Sequence, residues 1–146
     1  MKINYRILNK DNETILPEYK TEGSAGMDLC SSSKEQIIIS SGSTSLIPTN
    51  LILEIPPGYE GQVRSRSGLA LKHSIAVLNS PGTIDPDYRG EIKVLLINHG
   101  QEAFTINFGE RIAQLVITCF EKAELVESIE LSDTGRGEGG YGSTGV

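Results

Sequence analysis

Apolar residues in this chain recur at every second position, not at every third or fourth. Ile3, Tyr5 and Ile7 alternate with polar neighbours, and short apolar runs follow at Gln36–Ile39, Ser45–Ile47, Leu51–Ile55, Ile75–Leu78, Ile92–Ile97 and Ile112–Cys119. Period two belongs to strands, whose side chains project to opposite faces in turn. The runs are separated by Ser41-Gly42, Pro56-Pro57-Gly58, Ser80-Pro81-Gly82 and Asn98-His99-Gly100, residues that supply the backbone angles of tight turns. Many short strands at this spacing predict an all-β sandwich or barrel. Ile92–Ile97 is apolar on both faces, which places it in the interior or at a subunit contact. SGLALKH, Ser67–His73, is the one stretch that reads as helical, about two turns long. Leu125–Leu131 leads into Ser132-Asp133-Thr134, where order is expected to end. The reading is a single core domain over 1–134 and a glycine-rich arm over 135–146, without internal repeats.

Composition narrows the function classes. A chain of 146 residues, 38% apolar and 22% charged, is long enough for one domain with a real core. The net charge is −6 and no two Lys or Arg are adjacent, which argues against a nucleic-acid groove. An anionic ligand would then be gripped by a few placed arginines and backbone amides. Cys30 and Cys119 stand far apart, without the spacing of a zinc site or a disulfide framework, and are expected as reduced thiols. The N-terminal MKINYRILNKDNE has no apolar run of signal-peptide or membrane-span length. A soluble, cytoplasmic protein with neither membrane nor nucleic-acid partner is expected.

Five stretches carry candidate chemistry. Asn79–Glu91, NSPGTIDPDYRGE, reads as a tight turn, an extended Ile84-Asp85-Pro86 (a residue before proline is pushed out of the helical region), and a turn at Asp87-Tyr88 back into the Ile92 run. That is a β-hairpin with Asn79, Asp85 and Tyr88 near its mouth, whose backbone groups suit the edge of a planar base. The same aspartates also read as ordinary turn formers. In Arg64–Ala70, RSRSGLA, Arg66-Ser67-Gly68 lies where a strand gives way to the helix, and free amides there suit phosphate. Ser67 reads equally well as a helix N-cap. Asp28, in Gly26-Met27-Asp28-Leu29, starts a strand-like stretch. In Arg111–Ile117, RIAQLVI, period two puts Arg111 on one face with Ala113, Leu115 and Ile117, so a partly buried Arg111 is expected to need an acidic partner, for which Asp28 is a candidate. Gln114 takes the opposite face. The last eleven residues, RGEGGYGSTGV, combine five glycines with Arg136, Tyr141, Ser143 and Thr144: a fork for phosphate, a ring for stacking and short donors. Such a tail also reads as a frayed terminus.

Taken in order, AGMDL, RSRSGLA, NSPGTIDPDYRGE, RIAQLVI and RGEGGYGSTG resemble the five motifs of the trimeric dUTPase family, spanning Ala25 to Gly145. The resemblance implies a distorted jelly-roll or β-barrel, a β-clip with one short helix and a flexible C-terminal arm. It implies hydrolysis of dUTP to dUMP and pyrophosphate, which supplies dUMP for thymidylate synthesis and keeps uracil out of DNA. Asp85 matches the aspartate that activates the attacking water. Tyr88 matches the ring beneath the deoxyribose that leaves no room for a 2′-hydroxyl. Asn79, the backbone of Gly82, Thr83, Ile84 and Asp85, and the return strand near Lys93 match the uracil-reading hairpin. Arg66, Ser67 and Gly68 match the phosphate segment, and Gln114 its helper. Asp28 matches an acid that supports Mg²⁺ through water, the ion being held mainly by the triphosphate. Arg136 matches the γ-phosphate arginine, Tyr141 the ring over uracil, and Gly142, Ser143 and Thr144 the rest of the closing tail.

The resemblance further implies a homotrimer with shared sites, in which the tail reaches a neighbouring subunit and orders over bound nucleotide. Four positions depart from the usual pattern: Tyr141 for a phenylalanine, Met27 and Cys30 where aromatic residues are frequent, and Ser65 for a proline. Two rival readings remain at this level, a non-catalytic binding module of the same fold and a dCTP deaminase. The first would most simply lack Asp85, Tyr88 or the tail. The second needs a glutamate as proton shuttle, for which the hairpin shows no convincing candidate.

Overall fold

A computed structural model describes residues 1–140. Among them the chain forms eleven strands and one helix: β1 Asn4–Ile7, β2 Gly26–Cys30, β3 Ile37–Ile39, β4 Thr44–Pro48, β5 Leu51–Glu54, β6 Tyr59–Arg64, α1 Ser67–His73, β7 Ile75–Val77, β8 Gly82–Ile84, β9 Lys93–Asn98, β10 Phe104–Ile106 and β11 Arg111–Cys119. They pair antiparallel in four small sheets, β1-β5, β3-β10, β2-β11-β6-β8 and β4-β9-β7. This is the expected jelly-roll-like β fold. Its inward positions meet in one cluster that includes Leu29, Ile47, Leu51, Val94, Leu96, Ile112 and Leu115. Each fully buried Leu or Ile contributes about 1.5–3 kcal/mol.

The run apolar on both faces is interior. β9 is the central strand of its sheet, with Val94 and Leu96 sealed in the core and Leu95 and Ile97 half-buried on the other face. Two strands escape the alternation rule. β6 carries Gly61 where an apolar side chain is expected, because a Cβ there would lie 3.0 Å from Ile55 Cδ1 and 3.1 Å from Leu115 Cδ1. β10 is only three residues long. The helix stops where Ser74 turns left-handed (φ 56°) and its N–H reaches back to the Ala70 carbonyl.

Two buried asparagines hold the loops. Asn50 is left-handed (φ 59°) between β4 and β5. Its amide donates to Asn9 O (2.9 Å) and Thr14 Oγ1 (2.7 Å), and its Oδ1 accepts from Asn9 N (2.9 Å). Asn98, at the end of β9, donates to the Ile39 and Glu102 carbonyls and accepts from Gly100 N–H at 2.8 Å. The last strand ends at Cys119, and residues 121–138 are exposed, with Leu125, Val126, Ile129 and Leu131 turned to solvent.

Candidate active site

The segment after β7 does not fold as the expected simple hairpin. β8 and β9 do not pair with each other. β8 joins β6, with Gly82 opposite Val63 and Ile84 opposite Gly61, whereas β9 pairs with β4 and β7. Asn79–Ile92 is therefore an excursion bridging two sheets. The physical reason is Gly61: without a side chain it lets β8 lie against β6, and Ile84 packs into the space. A turn is present, but one residue earlier than the expected Asp87-Tyr88, with Pro86 and Asp87 at its centre. Tyr88 N–H donates to the Asp85 carbonyl at 3.2 Å across Pro86-Asp87, with proline at the turn position that suits its fixed φ.

This excursion gathers five of the expected residues. Thr83, Ile84, Asp85, Tyr88 and Lys93 line one open cleft of about 510 Å³, with Leu8, Leu46 and Glu91. The Asp85 carboxylate is exposed and makes no ion pair among the described residues. Asn79 lies against Gly82, where a Cβ would stand 3.1 Å from its Nδ2. Beneath the excursion sits a brace that sequence reasoning missed. Glu91 Oε1 accepts from Asn50 N–H at 2.7 Å, its Oε2 lies 3.5 Å from Lys93 Nζ, and Thr49 Oγ1 donates to the Ile92 carbonyl at 2.6 Å. The available signal was a polar pair, Thr49-Asn50, between two apolar runs.

A second group forms around β2, β11 and the start of α1. Asp28 is 6% exposed and stands between two guanidiniums. Its Oδ1 accepts from Arg66 Nε and its Oδ2 from Arg111 Nη1, both at 3.1 Å, while Arg66 Nη1 donates to the Arg111 carbonyl at 2.9 Å. A buried carboxylate requires such partners. Arg111 is the acidic residue's expected mate, but it does not share the buried face with Ala113. The β2–β11 register shifts between them, so Ile112 and Ala113 both turn inward and Arg111 is left half-exposed.

Arg66 occupies the N-cap of α1 in extended conformation, and Ser67 is the first helical residue rather than the cap. The first helical bond runs from Ala70 N–H to the Arg66 carbonyl at 3.0 Å, so the amides of residues 67–69 stand ahead of the helix ladder. Gly68 faces open space, and Gln114 is paired in register with both Asp28 and Arg64.

The two groups line separate clefts. The one at Arg66 and Arg111, about 470 Å³, shares no lining residue with the one at Asp85. Arg136 joins neither; its Nε donates to the Gly139 carbonyl at 2.8 Å within its own tail. Tyr141, Gly142, Ser143 and Thr144 lie outside the described residues. Among the described residues no group of three or more His, Cys, Asp or Glu could hold a metal.

Comparison with known proteins supplies the frame for these groups. The sequence profile of the dUTPase family matches residues 12–145. The chain is 58% identical over 145 residues to the deoxyuridine 5'-triphosphate nucleotidohydrolase of Nautilia profundicola, covering 99% of each chain. It is 56% identical over 131 residues to that of Rickettsia felis, covering 90% of this chain and 88% of the other. Among solved structures, the dUTPase of Staphylococcus bacteriophage 80alpha with dUPNHPP superposes with a TM-score of 0.88 at 28% identity, covering 99% of each chain. A dUTPase from phage phi11 of S. aureus, described with a structural Mg(II) ion, superposes at 0.79 with 25% identity, covering 89% of this chain and 98% of that one. Sequence over nearly the whole length and fold agree: the chain belongs to the dUTPase family, the enzymes that hydrolyse dUTP.

Proposed function

We propose that the chain hydrolyses dUTP by in-line attack of an Asp85-activated water on the α-phosphorus, releasing dUMP and pyrophosphate. The observation that carries this reading is the turn Asp85–Tyr88, which holds on the rim of one cleft an aromatic ring and a carboxylate without an ion pair among the described residues. The carboxylate takes the proton of the water. Tyr88 packs on the deoxyribose and rejects a 2′-hydroxyl. Asn79 and the backbone of Gly82–Asp85, with Lys93 across the cleft, read the uracil edge.

The triphosphate meets the other group. The amides of Ser67 and Gly68, and Gln114, bind its oxygens, so positioning and charge neutralisation dominate the rate. Mg²⁺ would be held mainly by the triphosphate, a mode that needs few protein ligands, with Asp28 meeting it through water, and it would draw off charge that develops on the phosphate oxygens. That suits a chain whose described residues offer no metal cage. Both Asp28 oxygens serve the arginines, and a carboxylate keeps further lone pairs for a metal-bound water. Arg136 then grips the γ-phosphate and Tyr141 covers the base, with Gly142, Ser143 and Thr144 completing the closure.

Because the two groups line separate clefts, we assign the working site to a homotrimer in which neighbouring chains contribute the base-reading and phosphate-binding halves, and the exposed tail reaches a neighbour. Glu91, the glutamate at the end of the excursion, is already engaged by Asn50 and Lys93, which counts against it as the proton shuttle that the deaminase reading needs. The deciding experiment follows pyrophosphate release from dUTP, UTP and dCTP and ammonia release from dCTP, with light scattering for the trimer. Pyrophosphate from dUTP alone is expected; deamination of dCTP, or no turnover of dUTP, overturns the reading.

A further inference from the structure

Tyr88 does not stand free on the rim. Its hydroxyl donates to the Glu91 carbonyl at 3.1 Å, so the ring folds back over Gly90, the second of the two residues between. A Cβ at Gly90 would lie 2.3 Å from Tyr88 Oη, 2.5 Å from Cζ and 2.9 Å from Cε2. No side chain fits there with the ring in place. Gly90 is not among the glycines with positive φ, so backbone conformation is not what requires glycine; space is. The chain on either side is fixed. Arg89 Nη1 donates to the Pro86 and Tyr88 carbonyls at 2.6 and 2.9 Å, and Glu91 is held by Asn50.

From this we infer that Gly90 is a specificity-positioning residue: its bare Cα is the seat that sets the depth of the Tyr88 ring, and so the clearance left at the sugar's 2′ position. The inference rests on the reading above, in which Tyr88 is the ring that rejects ribose. Its consequence is specific. The atoms that an added methyl would strike are the far end of a half-exposed side chain, not core or backbone. The ring therefore moves and the fold stays.

The test is a double-mutant cycle on the full chain, with kcat/KM for dUTP and for UTP as readout and melting temperature as control. Gly90→Ala is expected to lower the dUTP/UTP ratio about tenfold, with a melting temperature changed by less than about 5 °C. In a Tyr88→Ala background, Gly90→Ala is expected to change nothing further, because the ring it acts through is gone. If Tyr88→Ala leaves the ratio unchanged, the sugar-reading role of Tyr88 fails, and the inference with it. If Tyr88→Ala narrows the ratio and Gly90→Ala does not, the seat alone is refuted. Should Gly90→Ala fail to fold, the seat requires that the double variant regain the stability of Tyr88→Ala; a double variant that also fails to fold overturns it.

Discussion

The excursion at Asp85 and the clamp at Asp28 solve opposite problems with the same side chain. Asp85 is exposed and free of ion pairs among the described residues, and it is placed by a four-residue turn with a proline inside it. Asp28 is buried and held by partners 38 and 83 residues away. A free carboxylate on a rigid turn can accept a proton, and its loss leaves nothing buried and unpaired. A buried carboxylate between two arginines organises the strand bulge and the helix start, and its loss strands two cations. One aspartate is therefore expected to matter for rate and the other for stability.

The largest effect is expected at Asp85. Asp85→Asn keeps the size of the group but is a poor base, so kcat falls by about 10²–10⁴-fold, while binding of dUPNHPP and the melting temperature stay near those of the parent. Equilibrium binding beside pyrophosphate release measures both. Near-normal turnover would remove Asp85 from the mechanism. Asp28→Ala is expected to do the reverse in its first effect, destabilising the fold by about 2–3 kcal/mol. That is below the range for a fully buried pair because Arg66 and Arg111 are 21% and 49% exposed. Denaturant unfolding reads this directly. A stable Asp28→Ala chain, or an unstable Asp85→Asn chain, would break the comparison.

The same contrast decides what could be read in the sequence. The excursion is local: Asp-Pro, Tyr-Arg-Gly and a turn before them announce themselves within thirteen residues, Asn79–Glu91. What stayed hidden was that β8 leaves for a different sheet, because its reason, the gap at Gly61, comes from packing against Ile55 and Leu115. The clamp was half legible. Alternation suggested that Arg111 needs an acid, and Asp28 is that acid. The bulge that turns Arg111 outward and the bond from Arg66 to the Arg111 carbonyl depend on register between distant strands. The Asn50–Glu91 brace was invisible for the same reason, being a contact across 41 residues. The family motifs suggested the candidate residues, and the fold divides them into two groups on one chain.

That division is sharpened by the tail. Removing Gly135–Val146 is expected to leave a folded chain, still assembled as the trimer proposed above, and to lower kcat by about 10–100-fold, the worth of one charge-assisted hydrogen bond at the γ-phosphate, about 1.5–3 kcal/mol. Mixing truncated chains with full-length Asp85→Asn chains is expected to restore part of the activity, since some sites then combine an intact Asp85 with a tail from another chain. Verified mixed trimers without recovery would mean that each chain serves its own site.

The smallest effect concerns Cys30, which sits on β2 opposite Arg111 and reports on the clamp from inside. Burial raises its thiol pKa above the ordinary 9.0, and the neighbouring Asp28 charge raises it further, against smaller opposing effects of Arg111, Lys20 and Arg66. The folded chain thus holds the thiol proton more tightly than the unfolded one. The sign follows from linkage: stability is unaffected below the unfolded value and declines as pH rises above about 9, where only the unfolded thiol ionises. In a Cys119→Ser background, iodoacetamide at pH 8 is expected to label Cys30 only slowly, since the thiolate is scarce and buried. Asp28→Ala removes the like charge, which alone would favour the thiolate, and opens the clamp; both changes speed labelling. Adding Arg66→Met distinguishes them, because it disturbs the clamp while leaving the Asp28 charge in place. Faster labelling in Arg66→Met as well assigns the protection to packing around the clamp. Labelling that rises only in Asp28→Ala assigns it to the charge, and the clamp then does not seal this edge of the sheet.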